Sequence, residues 1–120
     1  MKMCWTTLMV DDLEKSLEFY EKLVELELSK RYTTPTGAQI CFLSDGGGST
    51  VELIFDPKVK ISNRGTGVTL GFEVKSLDEM MKTVAEKGIK IDRGPIVTPS
   101  GLKFFYVLDP SGVEVQFVEK

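Results

Sequence analysis

Glu52 is where chemistry in this sequence begins. It lies in Thr50-Val51-Glu52-Leu53-Ile54-Phe55, an alternating pattern that puts Val51, Leu53 and Phe55 on one face of a strand. Glu52 and Ile54 then take the other face. Gln116 occupies the matching place in Val115-Gln116-Phe117-Val118, 64 residues later. The same offset relates Trp5 to Thr69 at the two first strands. A desolvated carboxylate on a ligand-lining face can abstract a proton beside a carbonyl, or anchor a polar group. Thr69 and Gln116 offer neutral hydrogen bonds, and the Trp5 ring offers a stacking platform. Two readings stand for Glu52: a base or anchor for a ligand, or a relic carboxylate paired with Thr69, Gln116 or the Trp5 indole. Two also stand for Trp5, a platform or a bulky plug on that face. The chain has no histidine to act as metal ligand or proton shuttle.

The composition narrows the classes. The chain has 120 residues, 42% apolar and 28% charged, which fits one ordinary globular domain, 1–120. A net charge of -3 provides no broad basic surface for phosphates, so nucleic acid is not an expected partner. No apolar run approaches the ~18 residues of a membrane span, so no membrane association is expected. Residues 1–7 lack the apolar core of a signal peptide, and the expected compartment is the cytoplasm. Cys4 and Cys41 make no disulfide framework and are expected to be buried structural thiols.

The elements that position these residues come in duplicate. Thr34-Pro35-Thr36-Gly37 is echoed by Thr98-Pro99-Ser100-Gly101. At the same offset Val10 matches Val74, Leu13 matches Leu77, Asp45 matches Asp109 and Val51 matches Val115. No gap is needed between 5–56 and 69–120. Two modules follow, 1–56 and 65–120, with a linker over 57–64.

Each module reads as βαβββ. The first strand spans Cys4 to Val10, with Asp12 as helix N-cap and Leu13, Leu17, Tyr20 and Val24 as one helical stripe. In the second module Ser76 is the N-cap and Glu79 completes a capping box. Leu77, Met81 and Val84 repeat the stripe, and Gly88 stops the helix. Three strands follow each helix, near 26–33, 38–44 and 50–55, then near 89–97, 102–108 and 113–118. The fold class is therefore α+β, with two tandem βαβββ modules. With one face of each sheet under a helix, the other faces are expected to form curved mixed sheets around a cup, helices outside. Trp5, Thr7 and Met9 would face that cup. Ile40, Phe42, Phe104 and Tyr106 either line it or pack as core. Gly46-Gly47-Gly48 lies in a hairpin-like turn, not a phosphate loop.

The chain resembles the vicinal oxygen chelate superfamily. The resemblance rests on the duplication, the run from Val10 through Asp11-Asp12-Leu13 to Tyr20, the Val51-Glu52-Leu53 strand and the Asp109-Pro110-Ser111-Gly112 turn. That group holds glyoxalase I, epimerases, extradiol dioxygenases and bleomycin resistance proteins, so the resemblance implies fold more than reaction. Its metal-dependent members bind a divalent cation with side chains that correspond to Trp5, Glu52, Thr69 and Gln116. Trp5 has no ligand lone pair, and Thr69 and Gln116 are weak neutral donors, so these positions look vestigial. No cofactor is expected beyond a weakly held divalent metal. A two-His-one-carboxylate iron centre is excluded, as the chain has no His.

The resemblance then implies a metal-independent small-molecule-binding protein of the glyoxalase/bleomycin-resistance type, assembled as a homodimer. Trp5, Thr7, Phe42, Glu52, Thr69, Tyr106 and Gln116 would contact the ligand. The alternative is a lyase or isomerase of the lactoylglutathione lyase or epimerase kind. It would use Glu52 as base, with an atypical or weak metal site.

Overall fold

The structure, a computed structural model, describes residues 1–61 and 66–120. Positions 62–64 of the expected linker, and residue 65 where the second module was expected to begin, lie outside the described residues. The chain divides into two compact units, Met1–Ser62 and Asn63–Lys120.

In unit 1, Asp12 caps the helix as its sequence context requires: its side chain accepts the Lys15 N–H at 3.1 Å. The unit runs β1 (Thr6–Met9), α1 (Leu13–Glu18), a π turn (Phe19–Leu23), β2 (Glu27–Thr33), β3 (Gln39–Ser44) and β4 (Thr50–Phe55). The sheet order is β1-β4-β3-β2, with β1 parallel to β4 and the other pairs antiparallel. In unit 2, Ser76 Oγ accepts the Glu79 N–H at 3.2 Å, while the Glu79 carboxylate turns to Lys82. This unit runs β5 (Thr69–Glu73), α2 (Leu77–Glu86), β6 (Ile91–Val97), β7 (Lys103–Leu108) and β8 (Glu114–Glu119), in the order β5-β8-β7-β6. The architecture is α+β, two βαβββ modules with four-stranded mixed sheets. Among the described residues no helix is long and apolar enough to cross a membrane.

The turns repeat in detail. Thr34 Oγ1 accepts the Ala38 N–H, and Thr98 Oγ1 accepts the Leu102 N–H, both at 3.1 Å. Asp45 Oδ1 accepts from the backbone of Gly47 and Ser49, and Asp109 Oδ1 from Ser111 and Val113. Each turn is an acceptor side chain closing its own loop.

The gap-free offset of 64 fails between these landmarks. The end of α1 winds one residue wider, with the Val24 N–H bonded to Phe19 O at 3.1 Å. The left-handed residue that ends each helix is Glu25 (φ 63) in one unit and Gly88 (φ 70) in the other, 63 positions apart. The wider turn also moves the buried stripe: Leu23 is buried and Val24, expected in its place, is only half-buried. Unit 2 restores the count with an extra residue in β6. The β2–β3 ladder shifts register once, between Leu28 and Lys30. The β6–β7 ladder shifts twice, between Ile91 and Arg93 and again between Arg93 and Ile96. Gly94 lies in that second shift at φ 100, and the Gly94–Pro95 peptide is cis.

The core of unit 1 is Leu8, Val10, Leu13, Leu17, Tyr20, Cys41, Leu43 and Leu53, between helix and sheet. In unit 2, Leu77, Val84, Phe105, Val107, Val115 and Phe117 do the same work. Alternation then sends the intervening side chains of each sheet to the face without a helix.

Candidate functional site

On that face of unit 1, one row crosses all four strands. Lys30 lies opposite Phe42, Phe42 opposite Glu52, and Glu52 opposite Thr7. The Thr7 hydroxyl donates to Glu52 Oε1 at 2.6 Å. Glu52 is only 8% exposed. On the relic reading of Glu52 the partner would have been Thr69, Gln116 or the Trp5 indole. It is instead Thr7, because parallel pairing of β1 with β4 sets the two side chains directly across from each other. Trp5 precedes β1 and is 52% exposed. Its ring meets Phe42 edge to face, with centroids 5.7 Å apart and planes at 84°. The Lys30 ammonium lies over Tyr32, 4.9 Å from the ring centre. Unit 1 thus brings Trp5, Thr7, Phe42 and Glu52 together.

The same row in unit 2 reads Arg93, Tyr106, Gln116 and Gly71. The Arg93 guanidinium stacks on Tyr106 at 4.0 Å from the ring centre. The Gln116 amide donates to the Tyr106 hydroxyl at 3.3 Å. Gly71 leaves that amide room, as a Cβ there would stand 3.3 Å from Gln116 Oε1. Thr69 donates its hydroxyl to Glu114, its register partner, and Arg93 Nη2 reaches the same carboxylate at 2.7 Å. The Thr69 hydroxyl, and then the Arg93 guanidinium, hold the Glu114 carboxyl below the usual carboxylate range against the opposing effect of desolvation. Unit 2 thus brings Thr69, Tyr106 and Gln116 together around two residues that sequence reasoning missed. Glu114 shares the face of Gln116 by simple alternation and was open to discovery. Arg93 was hidden, because its true counterpart is Lys30, off the 64-residue register.

The two cysteines part ways. Cys41 is fully buried, and burial pushes its thiol up from the ordinary value, against a lowering by Arg31. Cys4, expected to be buried, is exposed, since it precedes the first strand and no helix covers it.

As cation ligands these side chains form a poor set. Trp5 has no lone pair to give, and Thr69 and Gln116 offer only neutral oxygens. Among the described residues no three His, Cys, Asp or Glu gather as a metal-binding group.

Known proteins resemble this chain along its whole length. A lactoylglutathione lyase of Oryza sativa is 29% identical over 127 residues and covers 98% of the chain. The chain spans only 44% of that relative's own length. A lactoylglutathione lyase of Neisseria meningitidis is 27% identical, covering 100% of this chain and 91% of its own. Among solved structures, a glyoxalase family protein from Bacillus cereus superposes with a TM-score of 0.85 at 18% identity, over 99% of this chain and 93% of the other. At that identity the likeness is one of fold. The duplicated βαβββ pattern is matched from residue 2 to residue 117 by one family description, and the chain belongs to the Glyoxalase/Bleomycin resistance protein/Dioxygenase superfamily.

Proposed function

We infer that this chain is a metal-independent protein that binds a small, largely apolar molecule. The observation that carries this reading is the unit 1 row. A half-exposed Trp5 stands at right angles to Phe42, beside a buried carboxylate held at one oxygen by Thr7. Trp5 and Phe42 supply apolar area, and Glu52 and Thr7 orient a polar group. Within unit 2, Thr69, Tyr106 and Gln116 form a hydrogen-bonding and ring surface of the same kind. A homodimer in the cytoplasm belongs to the same reading, supported by the family and by two thiols without a partner. The test is a thermal-shift screen of small aromatic compounds against wild type and Trp5→Ala. A rise in Tm that vanishes in the variant supports the reading; a broad screen without any shift sinks it.

A lyase or isomerase is the second reading. Glu52 favours it, as a buried carboxylate with one oxygen left over for a substrate proton. The relatives named lactoylglutathione lyase point the same way. Turnover of a hemithioacetal or 2-oxo substrate, lost in a folded Glu52→Gln protein, would establish it. Absence of turnover across such substrates would remove it.

A further inference from the structure

The two rows carry their charges differently, and the difference points to a ligand class. In unit 2 the row holds a cation on its own aromatic ring: Arg93 lies flat on Tyr106 and is neutralised by Glu114. The residue beside that ring is the neutral Gln116. In unit 1 the corresponding residue is the acidic Glu52, 8% exposed, with the Thr7 hydroxyl as its partner. The row's own cation, Lys30, has its ammonium over Tyr32. A buried carboxylate with one neutral hydrogen bond is expensive unless a positive charge joins it. Among the described residues no cation lies over the ring next to it, Phe42, and Trp5 meets that ring at 84° as a second wall. Two ring walls at a corner beside a carboxylate are the parts that hold an alkylammonium group, which is drawn to aromatic faces and to negative charge together.

We propose that the Trp5–Phe42–Glu52 corner of unit 1 recognises a small organic cation, an aromatic or alkyl ammonium. The ligand supplies the positive charge that Arg93 supplies in unit 2. This rests on the small-molecule reading above and narrows it to one charge class.

Trp5 is the sole tryptophan, so its fluorescence reports on the corner directly. The full chain is titrated with benzyltrimethylammonium chloride, with benzyl alcohol and with sodium phenylacetate at constant ionic strength. The expected result is saturable binding of the ammonium, about tenfold tighter than either analogue. Glu52→Gln, with Tm checked, removes that advantage. If Glu52→Gln does not fold, the wild-type preference for the ammonium over benzyl alcohol decides by itself. Equal affinity for all three compounds overturns the cation assignment and leaves the small-molecule reading standing. No saturable change with any of them overturns both. Displacement of the ammonium by Ni²⁺, Zn²⁺ or Mn²⁺ bound more tightly through Glu52 overturns it in favour of a metal centre.

Discussion

A Cβ added to Gly94 would stand 3.0 Å from Phe105 Cα and 3.1 Å from its Cβ. The neighbour is the backbone of a fully buried residue, so it cannot give way cheaply. Gly94 also sits at φ 100, where a side chain is strained whatever the space. Gly94→Ala is expected to lower stability by about 2–4 kcal/mol, from strain and overpacking together. Urea unfolding of the variant checks this, and a loss under about 1 kcal/mol would show that β6 re-forms its bulge elsewhere.

Thr7→Val takes from Glu52 the hydroxyl that holds it. The carboxylate stays buried without its donor, at a cost of about 1–3 kcal/mol. Thr7→Ser keeps the hydroxyl and should recover most of that loss, as read from denaturation midpoints. A Thr7→Val protein as stable as wild type would show that the hydroxyl contributes nothing to holding Glu52.

Glu114 gives the protein an acid-sensitive contribution. Its carboxyl is held below the usual range, chiefly by the Thr69 hydroxyl and then by Arg93. A depressed native value means that the contribution is fully present above the unfolded carboxylate value of about 4.3 and is lost as pH falls through the native one. Thr69→Val should therefore destabilise the protein at pH 7 and converge on wild type in acid. A gap between the two that stays constant across that range would argue against the linkage.

The thiols should react at very different rates. Cys4 is exposed, whereas Cys41 is fully buried with its thiol pushed up by burial. A chromogenic disulfide reagent should consume one equivalent quickly from native protein and the second only after denaturant is added. Cys4→Ser should abolish the fast phase.

Much of the frame could be read from residue types alone. Asp12 and Ser76 announced their helices, and Thr34-Pro35-Thr36-Gly37 with its echo announced a shared hairpin, because caps and turns are written in short local codes. The faces of β1, β4 and β8 followed from alternation, so Glu52 and Gln116 fell on the helix-free sides. What escaped was set by irregular backbone. The wider turn at Phe19–Leu23 moved burial from Val24 to Leu23, and nothing in that stretch distinguishes a π turn from an α turn. The Thr7–Glu52 bond escaped for another reason. Strand alternation assigns a side chain to a face, and only register says which residue stands across from it.

The extra residue at Phe19–Leu23 and the extra residue at Gly94 lie on opposite sides of the helix ends, and they cancel in the total. Recombination between the two halves of the gene would feel that cancellation unevenly. An exchange at the Thr34 and Thr98 hairpins trades intact segments of equal length. An exchange at Glu25 and Gly88 joins the wide helix to the doubly bulged strand, or the narrow helix to the singly bulged one, so one product gains a codon and its sister loses one. The two irregularities are thus coupled in length, and the stretch between them is where the halves could be exchanged only by changing the length of a module.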